Sequence, residues 1–162
     1  MDMNFDIFPE GSNIEGLSRV KFGIDPTFHR LHLGHLVPLR IVKKMQELGK
    51  DVTIVLGSFT AQLGDPSGRD QARPILSKEE VEENACRIHL QVHQILGSKF
   101  SIFRNGDVFN EMRVPELMKI VSDFSVQQIT NRNAFAGRIE SGNPIGIHEL
   151  IVPILQGTDS VI

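Results

Sequence analysis

"RVKFGIDPTFHRLHLGHLVPLRIVKKMQELGKDVTIVLG", residues 19–57, carries a strand period, then a helix period, then a strand period again. Residues 19–24 are a short, largely apolar run closed by Asp25-Pro26, which reads as a strand ending in a turn. From Leu33 onward Leu33, Leu36, Val37, Ile41, Met45 and Leu48 recur at helical spacing, and Gly49 supplies the stop. Pro38 falls in the first turns, where a missing N–H matters least. "DVTIVLG", 51–57, is a continuous β-branched run of the kind found in strands covered on both faces. Strand, helix and strand joined by short turns predict a βαβ unit with a right-handed crossover.

The pattern extends outward from there. Residues 57–74, "GSFTAQLGDPSGRDQARP", are rich in Gly, Asp, Pro and Ser and read as a long loop, a feature uncommon in compact domains unless it binds something. Ser77 followed by Glu80 is a capping box, and the helix it opens runs to Leu96 before Gly97. A third strand is expected at 99–105, helices at 115–124, 126–135 and 146–157, and a strand-like ending at 157–162, "GTDSVI". The alternation predicts an α/β fold with a parallel sheet. Residues 1–17 are expected to be a leader and 18–162 part of one domain.

Composition narrows the function classes. With 162 residues, 40% hydrophobic, the chain has enough apolar material for one core, and a charged fraction of 23% is that of a globular protein. A net charge of -3 argues against a dominant nucleic-acid footprint. Cys86 is the only cysteine, which excludes an internal disulfide and fits a reducing compartment. No apolar run is long enough to span a membrane and no signal peptide is visible, so a cytoplasmic location is expected.

His32 and His35 stand one turn apart at the start of the predicted helix, where unpaired N–H groups favour anions. Imidazoles there can donate to phosphate oxygens without a permanent charge. Thr27 adds a hydroxyl just upstream, and Gly34 lets the backbone approach closely. A bare histidine pair would more often simply cap a helix; the Asp-Pro-Thr prefix tips the reading toward a ligand. A zinc set of His29, His32 and His35 lacks a fourth ligand, and "HELIV" at 148–152 lacks the second histidine of a zinc protease helix. "GDPSGR", 64–69, places Asp65 beyond the second strand, near the carboxyl ends where open α/β sheets bind ligands, so Asp65 could face a cationic group.

Together "RVKFGIDPT…LHLGH", "TIVLGSFTAQLGDPSGRDQARP", "EEVEENA" and "PIGIHELIVPILQGTDSV" resemble the catalytic domain of bacterial tyrosyl-tRNA synthetases from about Ser18 onward. His-Leu-Gly-His corresponds to the HIGH signature of class I synthetases, and "GDPSGR" with "LQGTDS" is similar to the tyrosine branch; the resemblance implies that the α/β sheet is the Rossmann-like parallel sheet of that class, truncated. The resemblance implies attack of the tyrosine carboxylate on the α-phosphorus of ATP, loss of pyrophosphate and transfer of the aminoacyl group to tRNA. It implies Thr27, His32 and His35 as catalytic residues, with Thr27 and His32 on the departing phosphates and His35 near the ribose. Asp25 and Gly34 would line the same nucleotide site, and Mg2+ would accompany the ATP. Asp65 and Gln156 would take the ammonium of the amino acid, and Asp159 its phenolic hydroxyl.

This sequence departs from the family at Val152 and Thr158, where a Tyr is common, and at Lys21, which aligns where some members place a Tyr near the substrate hydroxyl. The family's KMSKS loop and tRNA-binding C-terminal domain do not appear among its 162 residues. Activation is therefore expected to be incomplete in this chain, with tRNA a partner only when a C-terminal part is supplied. An incomplete sheet is also expected to expose an apolar edge or face and so to pair with a second copy or with the missing half. Two alternatives stay open at the level of sequence: a small nucleotidylyltransferase, and a non-catalytic paralogue that binds ATP and an amino acid.

Overall fold

Strands β1 (Arg19–Ile24), β2 (Asp51–Leu56) and β3 (Ser101–Arg104) pair in parallel in that order. The structure, a computed structural model, describes residues 16–63 and 76–162. Helix α1 (Leu33–Glu47) joins β1 to β2, which is the expected βαβ unit, and α2 (Lys78–Leu96) leads into β3. A 3-10 turn, Thr60–Leu63, follows β2. After β3 come the helices α3 (Gly106–Phe109), α4 (Val114–Val121), α5 (Val126–Thr130), α6 (Asn133–Glu140) and α7 (Ile147–Val161). Among the described residues no helix is long and apolar enough to cross a membrane.

The two faces of the sheet are set by the period of two along the strands. Ile24, Val52, Ile54 and Leu56 pack with Leu39 and Val42 of α1 and with Ala85, Ile88, Val92 and Leu96 of α2 in one buried cluster. The alternate residues Lys21, Gly23 and Val55 line a cavity shared with α7. Register fixes this, since Lys21 stands opposite Thr53, and Gly23 opposite Val55. One face of β1 and β2 thus makes the core, and the other makes the site.

Local signals behave largely as read. Ser77 and Glu80 form the reciprocal capping box, with Ser77 Oγ accepting the Glu80 N–H at 3.2 Å and Glu80 Oε2 accepting the Ser77 N–H at 2.9 Å. Pro38 is the sixth residue of α1, beyond the first turn, so its missing N–H takes away the usual donor to the Gly34 carbonyl.

Two expectations are corrected. The stretch 126–135 is two helices rather than one, with α5 ending at Thr130 and α6 starting at Asn133. The ending "GTDSVI" is not a strand but the continuation of α7 to Val161, past Gly157. Its β-branched and hydroxyl residues suggested extension, yet their hydroxyls bond back along the helix. Thr158 Oγ1 donates to the Ile154 carbonyl at 2.9 Å, and Ser160 Oγ to that of Gln156 at 3.2 Å. The continuation matters for the site, because it puts Val152, Gln156 and Asp159 at i, i+4 and i+7 of one helix.

Candidate functional site

The two histidines cap α1 with each other. His32 is the N-cap; its Nδ1 accepts the Gly34 N–H at 3.1 Å, and its own N–H donates to His35 Nδ1 at 3.3 Å. The rings lie 3.9 Å apart, tilted by 43°. Because both Nδ1 atoms accept, each imidazole carries its proton on Nε2. For His32 that leaves an exposed ring N–H donor with no partner among the described residues. Capping and ligand binding are therefore compatible uses of one side chain. Gly34 owes its place to this arrangement, since a Cβ there would lie 2.9 Å from His32 Cε1.

The turn that delivers the histidines is held from α2. Gln91 accepts the Leu31 N–H and donates to the His29 carbonyl, both at 2.9 Å, while Asn84 donates to the Pro26 carbonyl at 3.1 Å. Neither residue stood out in the sequence, because a polar residue on a helix ordinarily faces solvent.

At the carboxyl ends of β1 and β2 a cavity of about 270 Å³ is lined by Lys21, Asp25, Val55, Gly57, Gln156 and Asp159, among others. Asp25 Oδ1 accepts from Thr60 Oγ1 at 2.7 Å. A Cβ on Gly57 would overlap both of those oxygens, so only glycine lets the Asp25 carboxylate close over the end of β2. Asp159 is 7% exposed; its Oδ2 accepts from Asn105 Nδ2 at 3.0 Å, and its Oδ1 is buried with no partner among the described residues. Burial pushes the Asp159 carboxyl up, against the opposing pull of the Asn105 hydrogen bond and the Lys21 ammonium. Lys21 Nζ donates to the Asp159 carbonyl at 3.0 Å.

Asn105 joins the two carboxylates. Its side chain is fully buried; Oδ1 accepts the Phe59 N–H at 2.9 Å, and Nδ2 reaches Thr60 Oγ1 at 3.3 Å as well as Asp159. A polar chain thus runs Asp25–Thr60–Asn105–Asp159 beneath the cavity. In the sequence Asn105 is the last residue of the expected third strand, 99–105, and nothing in the spacing marked the amide as buried.

The cavity brings together Asp25, Gln156 and Asp159 of the residues singled out beforehand. Thr27 lines a neighbouring hollow with His29, Glu80 and Asn84. His32, Gly34 and His35 stand at the N-terminus of α1, outside the described lining of both hollows. Asp65 and the rest of "GDPSGR" lie outside the described residues. Val152 is buried on the α7 face that bears Gln156, and Thr158 turns its hydroxyl to its own helix. Among the described residues no group of three His, Cys, Asp or Glu could hold a metal.

Residues 13–162 match the profile of the family described as tRNA synthetases class I (W and Y). The chain belongs to that family. This class I synthetase chain is 44% identical over 143 residues to the tyrosine--tRNA ligase of Francisella tularensis, an alignment covering 88% of the chain and 36% of that relative. It is 43% identical over 148 residues to the enzyme of the same name from Thermotoga maritima, covering 91% and 37%. The chain spans just over a third of the length of these curated relatives. A C-terminally truncated mitochondrial tyrosyl-tRNA synthetase of Aspergillus nidulans superposes with a TM-score of 0.74 at 23% identity, over 86% of this chain and 43% of that one. The tyrosyl-tRNA synthetase of Archaeoglobus fulgidus, solved with L-tyrosine, superposes at 0.65 with 16% identity, over 87% and 41%. These likenesses establish the Rossmann-like fold of the synthetase chain, and family membership sets it apart from the small nucleotidylyltransferases.

Proposed function

We propose that this chain carries the ATP and amino-acid sites of a tyrosine--tRNA ligase, in which a tyrosine carboxylate attacks the α-phosphorus of ATP and pyrophosphate departs. The observation that carries the reading is Asp159 Oδ1, a buried acceptor without a partner among the described residues, on a side chain that lines a cavity at the carboxyl ends of the strands. A phenolic hydroxyl supplies the missing donor, and phenylalanine would leave it missing. Gln156, one helical turn before Asp159, takes the ammonium together with Asp65.

Asp25, Thr27, His32, Gly34 and His35 hold ATP. The Nε2–H of His32, directed by the capping bond on Nδ1, suits a developing charge on the phosphates. Mg2+ enters on the phosphates of ATP. The tRNA binds where the rest of a full-length ligase provides for it. Pairing with a second copy is supported by an apolar groove lined by Met112, Val114, Leu117 and Ile151, next to Ile147, which is 79% exposed.

Equilibrium dialysis with labelled ATP and labelled tyrosine tests the reading. Saturable binding of both to one chain is expected. Binding of ATP without any aromatic amino acid would contradict it, and tyrosine-dependent ATP–pyrophosphate exchange separates a ligase from a non-catalytic paralogue that binds both.

A further inference from the structure

Residues 28–31, the four that lead into the N-cap His32, make no backbone–backbone hydrogen bond among the described residues. They are seated by one apolar anchor, Leu31 against the core cluster, and by one amide, that of Gln91 on α2. Gln91 Oε1 accepts the Leu31 N–H and Nε2 donates to the His29 carbonyl, both at 2.9 Å; the second N–H of Nε2 goes to the Arg87 carbonyl at 3.0 Å. That orientation is forced, because a flipped amide would set its oxygen against two carbonyls. Both N–H groups are used within the protein, so the side chain has none left for a ligand. Asn84, two turns earlier on α2, holds the Pro26 carbonyl in the same way.

We propose that Gln91 is a positioning residue of the nucleotide site. Its amide fixes residues 29–31 against α2, and through them the place from which His32 presents its ring N–H. ATP affinity then depends on a side chain that itself donates nothing to ATP. The proposal rests on the assignment of His32 to ATP and adds to it the element that sets the histidine in place.

The two helices are tied at both ends. At the end away from the histidines, Lys43 Nζ of α1 donates to the Leu96 carbonyl at 3.1 Å, and Gln46 Nε2 of α1 donates to the Lys99 carbonyl. So α1 holds the turn that leaves α2, and α2 holds the turn that enters α1. Removing the Gln91 amide leaves that far tie in place, together with the packing of Ile88, Val92 and Leu96 in the buried cluster. The loss therefore falls on the turn and not on the fold. A turn released in this way spends time in arrangements that carry His32 away from its ligand. Apparent affinity falls with the fraction of chains that keep the competent arrangement.

The test is equilibrium dialysis with labelled ATP and labelled tyrosine on the wild type, Gln91→Met and Gln91→Glu, with urea unfolding to show that each variant is folded. Gln91→Met keeps the length of the side chain and loses both bonds to the turn. Its ATP affinity is expected to fall by about tenfold, the weight of two neutral hydrogen bonds, with tyrosine affinity within about twofold of the wild type. Gln91→Glu at neutral pH turns a carboxylate on two carbonyls and is expected to lose as much. At about pH 5 the new carboxyl takes up a proton, which restores a donor beside the acceptor. Its ATP affinity is then expected to return to within about threefold of the wild type at that pH, while Gln91→Met stays low. Equal losses for ATP and tyrosine, an unchanged ATP affinity in a folded Gln91→Met, or a Gln91→Glu that stays low in acid overturns the proposal and leaves the ATP reading standing. A wild type that binds no ATP overturns the ATP reading itself, and this proposal with it.

Discussion

Asn105 Nδ2 lies 3.0 Å from Asp159 Oδ2 and 3.3 Å from Thr60 Oγ1, so one buried amide holds the first carboxylate directly and the second, Asp25, through a hydroxyl. The amide also accepts the Phe59 N–H, which pins the turn after β2. Asn105→Ala would strip a buried acceptor and a buried N–H of their partners. A loss of about 2–4 kcal/mol in unfolding free energy is expected, from unsatisfied groups at 1–3 kcal/mol each. Urea unfolding measures it, and a loss below about 0.5 kcal/mol would contradict the network.

Asp159 imposes a pH dependence of its own. Its folded carboxyl is raised by burial, so the folded state holds the proton more tightly than the unfolded chain does. The stability tied to that proton is fully present below the ordinary aspartate range and is lost as pH rises through the raised folded value. Asp159→Asn is therefore expected to gain on the wild type as pH rises from acid toward neutral. Thermal midpoints of both proteins across that range check the sign; parallel profiles would contradict it.

The Arg138–Glu149 pair has the opposite sign. Burial alone would raise the Glu149 carboxyl, but the Arg138 guanidinium, 2.5 Å away, and the Gly146 N–H hold it below the usual value. Its contribution is present above the ordinary glutamate range and lost as pH falls through the depressed value. Glu149→Gln leaves a largely buried guanidinium without its counter-charge and is expected to cost about 3 kcal/mol. Denaturant titration at neutral pH measures this, and a change within experimental error would show the pair to be dispensable.

Two variants of His32 separate its roles. His32→Ala removes the cap of α1 and is expected to cost about 1 kcal/mol of stability as well as ATP affinity. His32→Asn keeps a side-chain acceptor at the N-cap but not the ring N–H. It is expected to fold like the wild type and to bind ATP less well. Unchanged ATP affinity in the Asn variant would make His32 a cap and nothing more.

The βαβ unit was legible because local and global signals agree there. The apolar period of α1, the stop at Gly49 and the β-branched run of β2 each point the same way. Cap residues were legible for the same reason, and Ser77 with Glu80 behaves as its spacing predicts. The ending was misread because Val161 and Ile162 favour strand locally, while α7 is carried through by its packing and by hydroxyls bonding back to its own carbonyls. Asn105, Gln91 and Asn84 were invisible for a different reason. Their importance lies in contacts 45 to 62 residues away in the chain, which no local pattern encodes. Gly57 belongs with them, since its need for a bare Cα comes from Asp25 folding over it.

The central claim is that Asp159 Oδ1 takes the hydroxyl of a tyrosine. The most direct measurement is the ratio of tyrosine to phenylalanine affinity in the wild type and in Asp159→Ala, by calorimetry at neutral pH. The wild type is expected to favour tyrosine by at least about tenfold, the weight of one hydrogen bond to a charged group, and Asp159→Ala to lose most of that preference while still binding phenylalanine. A wild type that binds the two amino acids equally, or an Asp159→Ala variant that keeps the full preference, would contradict the account.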